Sequence, residues 1–177
     1  MDTFGHGTEV AGVIGSSEFM ADNKTFVGVA PAARLVAIRI DGDGQSTVPD
    51  SRIESALRWI INHPQLNITT VNISYGTGSF SDPTVSEVYG DEIQELHDAG
   101  VIIVAASGNF GVPSASGGMD TPAADPNVLS VGSVDTDDRI SSFSERARPL
   151  TLLAPGEDIY TPLRNGGFGI VEGTSFA

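Results

Sequence analysis

VIIVAASGNFG, residues 101–111, opens with an uninterrupted apolar, largely β-branched run and stops abruptly at Ser107-Gly108-Asn109. Continuous rather than alternating apolar character marks a strand covered on both faces, which is the situation inside a parallel sheet. The turn residues that follow place its carboxyl end, and in open α/β sheets that end is where ligands bind. Similar runs recur at LVAIRI (35–40), ITTVNIS (68–74), VLSVGSV (128–134) and LTLLAPG (150–156).

Between the first three runs lie helical patterns. In TVPDSRIESALRWIINH (47–63), Ile53, Ala56, Leu57, Ile60 and Ile61 share a face, and Thr47 with Asp50 suggests a capping box around Pro49. In SDPTVSEVYGDEIQELHDAG (81–100), Val85, Val88, Tyr89, Ile93 and Leu96 form one stripe, and Gly100 stands where a left-handed C′ residue belongs. Strand, helix, strand, helix, strand in this order implies right-handed crossovers and an α/β layered fold, a three-layer sandwich with a mostly parallel central sheet. No linker divides the 177 residues, so they read as one domain.

With 9 basic and 23 acidic residues the formal net charge is -14, which repels phosphate backbones and anionic membrane surfaces; nucleic acid is excluded as a partner class. The absence of Cys removes disulfides, thiolate metal sites and cysteine nucleophiles together. No apolar run reaches the ~20 residues of a membrane span, so no membrane insertion is expected. Met1 to His6 carries neither the basic nor the apolar region of a signal peptide, which fits a mature piece or a fragment.

Three short clusters carry residue types suited to catalysis. GHGTEVAGVIG (5–15) sets His6 at the opening of a small-residue helix, where the dipole favours the neutral imidazole that a general base needs. Asn109, just past the end of the 101–107 strand, can aim its amide N–H into a cleft. GTSFA (173–177) presents Ser175 after Gly and Thr, at the expected start of a helix. Each alone has an ordinary structural explanation, respectively an incidental loop histidine, a turn asparagine and an N-cap serine. His63 and His97 lie near helix C-termini and are given no chemistry.

Taken in order, GHGT with VAG, VNISYG, VAASGN and GTSFA resemble the subtilisin-like serine proteases (subtilase family), and the resemblance covers essentially the whole chain, including VGVAPAARLVAIRI (27–40), VLSVGSVD (128–135) and LLAPG (152–156). It implies Ser175 as nucleophile, His6 as base and Asn109 as oxyanion donor. An extended peptide would lie against Ser74, Tyr75 and Gly76, with Ala105, Ala106, Ser107 and Gly108 as the other wall of the primary pocket. No acidic residue is expected at that pocket's floor, which implies a preference for apolar or aromatic side chains. The family's third catalytic residue is an Asp upstream of the His; Asp2 is the sole acid before His6 and matches a non-catalytic position, so the catalytic Asp is expected upstream of this chain. The resemblance further implies a secreted or cell-surface location, no cofactor for the chemistry, and a structural calcium for which Asp22 with Asn23, or DGDG (41–44), are the oxygen-rich candidates beside ordinary acidic turns.

Two functions fit these residues: a serine endopeptidase, and a non-catalytic subtilisin-like module that binds extended peptides. The family pattern also continues GTS-x-A into a long central helix and precedes GHGT with a strand. Residues 1–177, a single partial peptidase domain from the His motif to the Ser motif, are therefore expected to fold poorly in isolation. Calorimetry of the isolated 177-residue chain should show no sharp transition; a single cooperative one would contradict that expectation.

Overall fold

The computed structural model describes residues 2, 4–42, 47–111 and 117–177. Its elements run α1 (His6–Gly15), β1 (Phe19–Ala21), β2 (Lys24–Phe26), α2 (Asp50–Ile61), β3 (Thr70–Ile73), β4 (Thr77–Phe80), α3 (Gly90–Asp98), β5 (Ile102–Ala106), β6 (Met119–Thr121), β7 (Leu129–Val134), β8 (Leu152–Pro155), β9 (Ile159–Pro162) and β10 (Phe168–Val171). The central sheet has the order β3-β5-β7-β8 and every pairing in it is parallel. Three antiparallel ribbons, β1-β2, β4-β6 and β9-β10, surround it. This is the α/β architecture with a parallel central sheet that the apolar runs imply.

One face of the sheet is covered by α2 and α3. Ile53, Leu57 and Ile60 of α2 and Ile93 and Leu96 of α3 close over Ile73, Ile103 and Ala105, with Tyr89 fully buried among them. Register explains the other face: Ile102 lies two residues from Val104, which pairs with Leu129, and Ala106 aligns through Val131 with Leu152. Successive residues of a strand alternate faces, so these belong together. Ile102 is 50% and Leu152 53% exposed. The double-sided burial read from the apolar runs is thus met on the helix-covered face and only partly on this one.

Several local expectations change. LVAIRI (35–40) forms no strand; Leu35 and Val36 are exposed while Ile38 and Ile40 rest against the core. β-branched composition prepares a pleat, but a strand also needs a ladder partner, and among the described residues none pairs with this segment at the β3 edge. The capping box at Thr47 is not made: α2 starts at Asp50 with Pro49 as N-cap and no side-chain cap bond. Asp50 in the first turn complements the dipole instead. α3 is shorter than its apolar stripe, leaving Val85 and Val88 exposed ahead of it.

The end of α3 follows its sequence signal closely. Gly100 has φ +81°, its N–H donates to the His97 carbonyl at 2.9 Å, and the Val101 N–H donates to the Leu96 carbonyl at 3.0 Å. That pair of bonds is a Schellman closure, and it turns the chain straight into β5. The two ribbons near α1 share stacked aromatic rings: Phe19 on Phe26 (5.6 Å between centroids), Phe19 on Phe168 (4.3 Å) and Phe26 on Tyr160 (4.4 Å). α1 itself lies on β9, where a Cβ at Gly12 would overlap Thr161 Oγ1 and the Pro162 ring.

Arg58 of α2 donates to the carboxylate of Glu92 on α3, a residue only 3% exposed. Removing the cation would strand a buried carboxylate, although the exposed position of Arg58 itself tempers the loss. Arg58→Ala is expected to lower unfolding stability by about 1–3 kcal/mol in urea titration; an unchanged midpoint would show that the pair does not hold the two helices together.

Candidate active site

Four segments far apart in sequence meet at the carboxyl end of the sheet: the start of α1, the residues after β3, those after β5, and the turn 173–176. His6 is the first residue of α1, whose N-cap is Gly5 at φ +107°, a conformation that needs glycine. Asp2 fixes this corner. One carboxylate oxygen accepts from the Phe4 (3.0 Å) and Gly5 (2.7 Å) N–H groups, the other from the Thr8 N–H (3.0 Å) and hydroxyl (2.7 Å). Burial pushes the Asp2 carboxyl upward, but those bonds outweigh it and bring it to about 2. None of them reaches the imidazole, in keeping with the reading that Asp2 is not the partner of the base.

The His6 ring has no hydrogen-bond partner among the described residues and meets Phe176 edge-on, 5.6 Å between centroids. Burial lowers its pKa from the ordinary value, with Glu9 and Asp2 opposing, so the ring is biased to the neutral form. Phe176 follows Ser175 in the chain, so the histidine packs against the residue next to the serine. Ser175 lies in a turn rather than on a helix; Gly173 at φ +144° enters it and the Phe176 N–H closes on the Gly173 carbonyl at 3.1 Å. The Ser175 hydroxyl makes a long 3.5 Å bond to the Ser74 carbonyl, and the Ser74 hydroxyl donates to the Ser175 carbonyl at 2.8 Å.

Thr174, absent from the sequence reading, holds the site together. Its N–H and hydroxyl donate to Asn109 Oδ1 at 2.8 and 2.9 Å, and its hydroxyl accepts from the Gly108 N–H at 3.2 Å. With its carbonyl oxygen engaged, the Asn109 side chain presents Nδ2 outward as a donor. Neither Asn109 Nδ2 nor the Ser175 N–H has an acceptor among the described residues. Two donors, one on Asn109 and one on Ser175 itself, are therefore unspent.

Tyr75 divides its roles. Its hydroxyl is locked to the Val48 N–H (3.0 Å) and carbonyl (3.1 Å) and its ring packs on the core, so the side chain is structural. Its peptide group and that of Gly76 have no backbone hydrogen-bond partner among the described residues. On the opposite side Ala105, Ser107 and Gly108 are buried and Ala106 half-buried.

Against Gly76 and Gly108 lie two acids that the sequence analysis did not single out. Asp120, from β6, is 5% exposed and Glu145 2% exposed. A Cβ on Gly76 would stand 2.6 Å from Asp120 Cβ and 3.2 Å from its Oδ2, and one on Gly108 would overlap Glu145 Oε2 and lie 3.0 Å from Asp120 Oδ2. Desolvation raises the Asp120 carboxyl to about 6; desolvation first, then the Asp120 charge, raises Glu145 to about 7 against the pull of the Phe110 N–H. No local pattern marks either residue: Asp120 stands two residues before a proline and Glu145 sits in a polar loop, and they are brought inward by the packing of β4 on β6, the bond from the Asp120 N–H to the Ser107 carbonyl (3.0 Å) and that from the Glu145 N–H to the Gly108 carbonyl (3.0 Å).

The oxygen-rich candidates for calcium are otherwise engaged or lie outside the described residues. Asp22 and Asn23, at φ 49° and 59°, form the tight turn of the β1-β2 ribbon, and the Asp22 carboxylate accepts from the Tyr160 hydroxyl. Asp41 pairs with Arg39, and residues 43 and 44 are outside the described set. Among the described residues no group of three or more His, Asp or Glu side chains is arranged to hold a metal ion.

The subtilase family (peptidase S8) model matches residues 1–177. The chain belongs to the subtilase family. It is 31% identical over 179 residues to subtilisin E of Bacillus subtilis, covering 99% of this chain and 43% of the relative, and 34% identical over 186 residues to subtilisin-like protease 10 of Trichophyton verrucosum, covering 100% and 32%. Among solved structures, a cold-adapted subtilisin-like serine proteinase superposes with a TM-score of 0.78 at 30% identity, covering 98% of this chain and 56% of that one. The prenylagaramide maturation protease PagA gives 0.81 at 28% identity, covering 97% and 59%. This subtilase chain thus spans less than half the length of these curated relatives.

The acid pair generates a pH signature. Both carboxyls hold their proton more tightly folded than unfolded, from ordinary values of 3.8 and 4.5 to about 6 and about 7. The stability this contributes is complete below about pH 4 and is lost as pH rises through 6 to 7. The melting temperature should therefore be higher at pH 5 than at pH 8, and the Asp120→Asn, Glu145→Gln double variant should flatten the difference. Identical slopes for both proteins would exclude the pair as its source.

Proposed function

We propose that this subtilase is a serine endopeptidase acting through an acyl-enzyme. The observation that carries the reading is that Thr174 takes the Asn109 carbonyl oxygen and leaves Asn109 Nδ2 and the Ser175 N–H without acceptors among the described residues, while the His6 ring packs on Phe176, the residue that follows the serine. In the reaction Ser175 Oγ attacks the peptide carbonyl carbon while its proton passes to a His6 ring nitrogen. The carbonyl oxygen becomes an anion that accepts from Asn109 Nδ2 and the Ser175 N–H, donors with no other acceptor to give up among the described residues. Collapse breaks the C–N bond, and the proton moves from His6 to the departing amine. Water then repeats the sequence in reverse and frees Ser175.

Substrate pairs as an extended strand with the free peptide groups of Tyr75 and Gly76, which reads main chain rather than sequence. His6 would be oriented by a carboxylate outside residues 1–177, since none of the described acids bonds its ring. The same bare ring is what favours the second reading, a module that binds extended peptides without cleaving them. Secretion or display at the cell surface accords with the family.

Hydrolysis of an unstructured protein such as casein by the full-length protein tests the proposal, together with labelling by a fluorophosphonate. Ser175→Ala or His6→Ala is expected to cut turnover by about 10⁶-fold, a magnitude known from subtilisin itself. Asn109→Ala should cost about 10²–10³-fold, again as in subtilisin, mainly in kcat. Hydrolysis that survives Ser175→Ala would eliminate the mechanism, and peptide binding without cleavage or labelling would select the second reading.

A further inference from the structure

Resting on that protease reading, we propose that Asp120 and Glu145 floor the primary substrate pocket and select a lysine or arginine side chain on the residue whose carbonyl is attacked. Position is the first argument. Asp120 Oδ2 lies beneath the Cα atoms of both Gly76 and Gly108, and Glu145 Oε2 beneath Gly108, so the two carboxylates occupy the gap between the two walls. Gly108 immediately precedes Asn109, and Gly76 follows Ser74, which is bonded to Ser175. A side chain entering between the walls from a carbonyl seated at Ser175 runs toward these oxygens.

Unsatisfied bonding is the second. Among the described residues, Asp120 Oδ1, Glu145 Oε2 and the fully buried Ser107 Oγ have no hydrogen-bond partner and neither acid takes part in an ion pair. Two orphan carboxylate oxygens and an orphan hydroxyl, all buried, are a costly arrangement unless a partner arrives. An apolar substrate side chain would seal them from water and raise that cost. A guanidinium brings five donors in a planar fork, and an ammonium three, together with a positive charge that complements the two acids.

Glycine at both wall positions is the third argument, because a side chain on either would collide with the acids and close the gap. The walls and the floor are mutually fitted: the acids fill the depth that the missing Cβ atoms leave.

The test uses the full-length protein and peptide p-nitroanilides ending in Lys, Arg, Phe or Leu. The wild type is expected to show kcat/KM on the order of 10²-fold higher for Lys and Arg than for Phe and Leu. The Asp120→Asn, Glu145→Gln variant, nearly isosteric, should lose that ratio. Benzamidine, a small planar amidinium cation, should inhibit the wild type competitively, a readout that needs no variant. A wild type that cleaves after Phe or Leu faster than after Lys or Arg overturns the acidic pocket while leaving Ser175 as nucleophile. No hydrolysis of any of the four, with no fluorophosphonate labelling of Ser175, overturns both.

Discussion

Thr174 bonds across 65 residues of chain to Asn109 and across 66 to Gly108, and the arrangement of the site depends on that clamp. Each bond resolves an ambiguity that the isolated residues leave open. The Asn109 amide can face either way until Thr174 takes its oxygen; then only the NH₂ is left to face the cleft. The Gly108 N–H, buried at the end of β5, has the Thr174 hydroxyl as its acceptor. Because Ser175 is the next residue, the nucleophile inherits its position from the same clamp, and the bond from the Ser74 hydroxyl to its carbonyl adds a second tether from β3.

The three motifs read from the sequence do converge. His6 opens α1, Asn109 follows β5 and Ser175 sits in a turn entered through Gly173, places where a backbone signal such as glycine or an abrupt end to an apolar run is local and visible. Gly100 shows the same legibility, since its left-handed conformation was implied by its place after an apolar stripe. What could not be read locally depended on partners. LVAIRI has the composition of a strand but no ladder; Thr47 has the chemistry of a cap but the helix begins beyond it; Val85 and Val88 continue an apolar stripe that the helix does not.

Asp120 and Glu145 illustrate the limit most sharply. An acid in a loop reads as solvated on every ordinary prior, and the family resemblance placed no acidic residue at the pocket floor. Burial of both arises from tertiary pairing of β4 with β6 and of the Glu145 peptide with Gly108, neither of which has a periodic or compositional trace.

The stacked rings of Phe19, Phe26, Tyr160 and Phe168 join two ribbons from opposite ends of the chain. A lone two-stranded ribbon is marginal in water, so each ribbon leans on the other, and α1 leans on β9 through Gly12. The mount of the histidine is therefore a non-local assembly whose loop-closure entropy is repaid only after both ends of the chain have come together. In terms of chain closure, the mount of the base spans the longer loop: Thr161 bonds to Glu9 across 152 residues, whereas the nucleophile turn is tied to Asn109 across 65 and to Ser74 across 101.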